Sequence, residues 1–140
     1  MRKNGVKKLL LGVVLMLSIS TLFTACKKDS NNSDTRGDGI DAVIGTFKGT
    51  LEDGDLKYYD AIITVSKVDD SRVKITPKSG EAYSGYTVKT IRVANTGSAS
   101  IVGTDEQGTL SYLVTTKAIN VSTEKTSAQD KIYLFNGSKQ

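Results

Sequence analysis

A chain of 140 residues has room for one domain, and its single cysteine excludes a disulfide framework within it. With no histidine, the sequence lacks the commonest general base, the commonest metal ligand and every Ser-His or Cys-His nucleophile pair. The formal net charge of +4 is local: residues 1–25 hold four of the 19 Lys+Arg and none of the 15 Asp+Glu, which leaves 15 of each sign beyond them. Nucleic-acid binding driven by net charge is therefore excluded for the rest of the chain.

In chain order, the first segment reads as an address rather than as structure. Met1 to Lys8 is basic through Arg2, Lys3, Lys7 and Lys8. Leu9 to Phe23 is apolar apart from Gly12, Ser18, Ser20 and Thr21, and Thr24-Ala25-Cys26 follows. These are the basic, apolar and cleavage regions of an export signal. The apolar core of roughly 15 residues falls short of the ~20 needed to span a bilayer, and Lys27-Lys28-Asp29 begins a polar tract at once.

Leu22-Phe23-Thr24-Ala25-Cys26 resembles a lipobox, the signal read by lipoprotein signal peptidase, with Phe23 where Leu is usual. Cys26-Lys27-Lys28-Asp29 is similar to the Lys/Asp-rich tag of surface-displayed lipoproteins of the Bacteroidetes group. The resemblance implies cleavage between Ala25 and Cys26, diacylglycerol on the Cys26 sulfur and a fatty acyl chain on its amine. It also implies a lipid-anchored place in the cell envelope, at the outer membrane and exposed at the surface. Several acyl chains satisfy the rule that stable anchoring needs more than one.

Residues 26–41, CKKDSNNSDTRGDGID, are too polar to bury apolar surface and read as a flexible tether. Arg36-Gly37-Asp38 within it is a three-residue match to an integrin-binding motif and carries no weight. Asn31-Asn32-Ser33, Asn120-Val121-Ser122 and Asn136-Gly137-Ser138 fit the glycosylation pattern but read as turn and strand chemistry.

From Ala42 onward, Thr, Val, Ile and Tyr recur in short alternating runs bounded by Gly, Asp, Asn and Ser, which predicts strands. Gly45–Glu52 turns Phe47 and Leu51 inward, with Gly49 on the same face at a bend. Asp53-Gly54-Asp55 is a hairpin turn. A long strand over 57–68 places Tyr59, Ala61, Ile63 and Val65 on one face. Asp69-Asp70-Ser71 turns, 72–76 places Val73 and Ile75 inward, and Pro77 stops it. A strand over 83–93 changes phase between Tyr86/Val88 and Ile91/Val93, the signature of a bulge. Strands over 98–103, 109–114, 117–122 and 132–135 complete eight, the last with either Ile132/Leu134 or Tyr133/Phe135 inward.

Eight short strands with tight turns predict an all-β fold, a small antiparallel up-and-down eight-stranded barrel, with an immunoglobulin-like β-sandwich as the alternative. Gly45-Thr46-Phe47-Lys48-Gly49-Thr50-Leu51, Ala61-Ile62-Ile63-Thr64-Val65 and Val73-Lys74-Ile75-Thr76-Pro77 are similar to the opening of lipocalin-like (calycin-like) barrel domains of Bacteroidetes lipoproteins. The lipocalin G-x-W is absent, since the chain has no Trp. The resemblance implies a lipocalin-like domain over 42–140 and transfers no functional residue.

The chemistry on offer is sparse. With Cys26 lipidated, no thiol remains for catalysis or zinc, and the paired carboxylates Asp53/Asp55, Asp69/Asp70 and Asp105/Glu106 sit at turns, where Asp is favoured for local hydrogen bonding. No catalytic residue, metal or cofactor is expected. Tyr58, Tyr59, Tyr86 and Tyr112 are the candidate ligand contacts, and whichever of the adjacent Tyr58 and Tyr59 faces outward is the best partner contact. The expected role is a non-catalytic envelope binding module for a small apolar ligand, a glycan or a protein; the alternative is a structural subunit of a surface complex with no pocket. The expected partners are the membrane, through the lipid, and one of those ligands, with no nucleic acid.

Overall fold

The computed structural model describes residues 39–140, so the signal peptide, the Ala25–Cys26 cleavage site and nearly all of the tether lie outside the described residues. Ile40, assigned to the tether on sequence, is buried, and Asp41–Val43 forms one turn of 3-10 helix. Nine strands follow: β1 (Gly45–Asp53), β2 (Leu56–Asp69), β3 (Arg72–Pro77), β4 (Lys89–Arg92), β5 (Ala94–Asn95), β6 (Ser100–Asp105), β7 (Gly108–Leu113), β8 (Ala118–Thr123) and β9 (Leu134–Lys139). They form one antiparallel sheet in the order β4-β3-β2-β1-β9-β8-β7-β6-β5.

The fold is all-β, and the sheet curls into a nearly closed up-and-down barrel. The two edge strands are consecutive in the chain and separated only by Val93, so β4 and β5 are one broken strand. β4 pairs with β3, and β5 pairs with β6 through only two residue pairs, Ala94↔Val102 and Asn95↔Ile101. This break turns the eight predicted strands into nine. Side chains from the β6–β7 turn complete the seam: Asp105 Oδ2 accepts from Arg92 N at 2.7 Å, and Gln107 Oε1 accepts from Thr90 N at 3.0 Å. Gly103 permits the closure, because a Cβ there would lie 2.0 Å from the Arg92 carbonyl oxygen.

Alternation fills the interior. Phe47, Leu51, Ile63, Val65, Val73 and Ile75 from one wall meet Ile101, Leu110, Tyr112, Ile119, Val121 and Phe135 from the other, all buried. The Phe47 and Tyr112 rings meet edge-on with centroids 5.8 Å apart. Each large apolar side chain buried in this way contributes about 1.5–3 kcal/mol. Gly49 lets β9 approach, since its Cβ would lie 2.0 Å from the Asn136 carbonyl oxygen.

Three sequence expectations need correction. Tyr59 does not share the inward face of Ala61, Ile63 and Val65. The β1–β2 register slips between Gly49 and Leu51, and Asp60 adopts a φ of 57°, so a bulge turns Tyr58 inward and leaves Tyr59 73% exposed. The strand expected over 83–93 begins only at Lys89; residues 81–86 are turns closed by Ser84 N to Glu81 O and Tyr86 N to Tyr83 O. The final strand extends to Lys139, with Tyr133 and Phe135 inward.

Because neighbouring strands alternate in direction, the β1–β2, β3–β4, β6–β7 and β8–β9 connections gather at one end, here called the roof. The other three turns gather at the floor with the 3-10 helix. Ile40 and Val43 plug that floor, pinned by Lys67 Nζ to Asp41 Oδ1 (3.0 Å), Asn95 Nδ2 to Gly39 O (3.2 Å) and Lys139 Nζ to Ala42 O (2.9 Å).

Candidate functional site

The structure separates the four candidate tyrosines. Tyr112 is part of the interior against Phe47. Tyr59 stands alone on the outer surface, beside the Lys48–Asp60 ion pair. Tyr58 and Tyr86 come together beneath the roof with Tyr83 and Tyr133, in ring contacts of 5.6–6.1 Å. Tyr86 donates its hydroxyl to Asp53 Oδ2 at 3.0 Å, and Ile62 N donates to the Tyr83 hydroxyl at 2.9 Å beside the bulge. Burial first, then Asp53 and Tyr58, push the Tyr86 phenol upward. The Tyr133 hydroxyl is buried with no hydrogen-bond partner among the described residues, and burial raises its pKa too.

The long β3–β4 and β8–β9 connections cover this cluster and hold each other. Thr87 N donates to Lys131 O at 3.1 Å, and Lys131 N donates to Thr87 Oγ1 at 2.9 Å. Lys89, 1% exposed, reaches Asp130 Oδ2 at 2.5 Å. The same carboxylate accepts from Thr126 N and Oγ1 and from Ser127 N and Oγ. Lys89, followed by those Thr126 and Ser127 donors, holds Asp130 well below the usual carboxylate range. A buried cation so completely answered is a latch across the roof. Sequence reasoning missed it, although Lys89 shares its alternation phase with inward Ile91 and Val93.

The turn carboxylates are committed locally. Asp69 accepts from Ser71 N and Arg72 Nε, and these hold its carboxyl at about 2. Asp105 accepts from Gln107 N and Arg92 N. Among the described residues no group of three or more Cys, Asp or Glu is placed to hold a metal ion.

Three hollows among the described residues lie outside the barrel. One of about 490 Å³ adjoins Tyr59 and Asp60, one of about 350 Å³ lies at the seam between Arg72, Arg92 and Asp105, and one of about 420 Å³ lies on β6–β9. The last belongs to a wall of unusual composition. Its outward side chains form three rows across the four strands: Ser100-Leu113-Ala118-Ser138, Val102-Ser111-Asn120-Asn136 and Thr104-Thr109-Ser122-Leu134. None is charged. The wall of β1–β4 is the opposite, carrying Lys48–Asp60, Lys57–Glu52, Lys67–Asp70 and Arg72–Asp69. Among the six polar side chains lining the β6–β9 hollow, Thr104, Thr109, Ser111, Asn120, Ser122 and Asn136, none makes a hydrogen bond to another described residue.

Among the described residues no helix is long and apolar enough to cross a membrane. Compared with protein-family models, with curated proteins and with solved structures, the chain matches none.

Proposed function

We propose that the protein is a lipid-anchored component of the cell envelope whose barrel is a non-catalytic binding module working from its outer wall. The anchoring part rests on the signal-like segment, the lipobox resemblance and the position of Cys26. The first described residues, Gly39–Val43, meet the barrel at its floor. The binding part rests on one observation: the uncharged β6–β9 wall, with a hollow whose polar side chains make no hydrogen bond to another described residue. The interior is packed with Phe47, Ile63, Ile101, Tyr112 and Phe135, which favours a surface ligand over a lumenal apolar one.

The experiment places a photo-crosslinking amino acid at Asn120, in the uncharged wall, and separately at Lys74, in the charged wall, in intact cells. Covalent adducts from Asn120 alone are expected. Equal adducts at both positions, or none at Asn120, overturn the assignment. Labelling with a palmitate analogue that disappears in Cys26→Ser checks the anchor. The packed interior also suits a structural subunit of a surface complex, and uniform protein adducts at Asn120 favour that second reading.

A further inference from the structure

Resting on the outer-wall reading, we infer that the hollow on β6–β9 is a binding site for a neutral saccharide. The hollow combines two kinds of surface. Ser111 and Ser122 bring hydroxyls and Asn120 and Asn136 bring carboxamides, groups that donate and accept alike. Val102 and Leu134, 38% and 49% exposed, add apolar area at its edges. Neutral polyols with hydroxyls at the rim of a ring and C–H groups on its faces match both.

Register makes the arrangement. Asn120 and Asn136 face each other directly across β8 and β9, and Ser111 lies beside Asn120 on β7. The lining polar groups have no partners among the described residues, so a ligand takes up bonds otherwise made by water. A charged ligand finds no counter-charge on the wall, whose twelve outward positions hold no Lys, Arg, Asp or Glu. The size of the wall argues against a second copy. Three strand gaps of about 4.8 Å and four residue rises of about 3.4 Å span roughly 14 Å by 14 Å between side-chain origins, several-fold less than the ~800 Å² per partner of a stable protein interface.

The test uses the intact chain in an amine-oxide detergent, which carries no sugar headgroup, with neutral gluco-, xylo-, manno- and galacto-oligosaccharides as probes and oligogalacturonate as the charged control. A neutral oligomer is expected to shift the amide NMR signals of Ser111, Asn120, Ser122 and Asn136 saturably, while the uronate leaves them in place. Asn120→Ala and Asn136→Ala, both exposed and folded as judged by unchanged melting, each weaken binding about fivefold, the loss of one neutral hydrogen bond. Ser111→Lys abolishes it. The saccharide assignment falls when no neutral oligomer moves these signals, when the uronate binds equally, or when both Asn variants bind like the parent. If Asn120 still yields crosslinked adducts in that case, the outer-wall reading stands and only the ligand class is wrong. Amide shifts confined to the roof, with no adducts at Asn120, overturn both.

Discussion

The β1–β4 wall and the β6–β9 wall share an interior and differ outside. Inward, both supply alternating Ile, Leu, Val and aromatic residues. Outward, one is laced with ion pairs and the other has Ser, Thr, Asn, Val and Leu with no charge. Solvent exposure alone predicts charge on both. The walls also join unequally: β1 and β9 share a six-pair ladder, whereas the seam at β4–β6 relies on two pairs, the Asp105 and Gln107 side chains, and the Lys89–Asp130 latch above. The interior carries the fold and the seam closes it, and both draw on side chains other than the outward ones of β6–β9.

The largest expected effect comes from breaking the latch that joins the walls. Asp130→Asn strands the Lys89 ammonium in the interior, and an uncompensated buried charge costs about 3–5 kcal/mol. Denaturant titration reads the loss directly. The parent also has an acid limb. Because the folded-state pKa of Asp130 is depressed, its contribution is complete above the unfolded value near 4 and disappears as pH falls through the folded value. Asp69, held at about 2, acts in the same direction on the charged wall. Parent stability therefore declines as pH drops below ~4, and Asp130→Asn flattens that decline without abolishing it. An unchanged limb in the variant breaks the latch assignment.

A matched pair of truncations tests the shared interior. Leu51→Ala on β1 and Leu110→Ala on β7 remove the same side chain from positions 0% and 2% exposed. Both are expected to cost about 2–5 kcal/mol, with urea midpoints shifted alike. A loss confined to one wall means that the walls do not share a single cooperative core.

Alternation made the inner faces legible in the sequence: Phe47, Leu51, Val73, Ile75, Leu110, Tyr112, Ile119 and Val121 all point inward as their spacing requires. The turns at Asp53-Gly54 and Asp69-Asp70-Ser71 were legible through their residue chemistry. The bulge at Asp60 was not, because a positive φ in mid-strand leaves no mark beyond an ordinary Asp. The segment 81–86 misled because Tyr is a good strand residue, while Tyr83 and Tyr86 are spaced three apart, as in a turn. Register kept the uncharged wall from view, since only pairing brings Asn120 and Asn136 together. A one-dimensional signal did exist: between Ser100 and Thr123 the charged residues are Asp105, Glu106 and Lys117, all at strand ends or turns, whereas Lys48, Lys57, Asp60 and Lys74 interrupt the earlier strands.

The tyrosine cluster yields a smaller and more diagnostic effect. Removing a hydroxyl that is buried without a partner among the described residues removes a desolvation cost and no bond, so Tyr133→Phe is expected to leave stability unchanged or raise it by about 1 kcal/mol. Tyr86→Phe, which loses the bond to Asp53, is expected to lower it by a similar amount. Destabilisation by Tyr133→Phe means that the hydroxyl has a partner in solution, and it moves attention from the outer wall to the roof.

The smallest effect decides what the missing charge is for. Asn120→Lys on the uncharged wall and Thr64→Lys on the charged wall both place an ammonium at an exposed strand position. If neutrality were a requirement of folding, Asn120→Lys alone would be costly. Both side chains point into solvent and neither makes a hydrogen bond that the substitution removes, so both are expected to stay within about 0.5 kcal/mol of the parent. Paired melting curves measure the difference. Indistinguishable curves leave the fold no reason to exclude charge from β6–β9 and assign that exclusion to whatever the wall binds. A selective loss in Asn120→Lys returns the pattern to the architecture and removes the main support for a binding surface there.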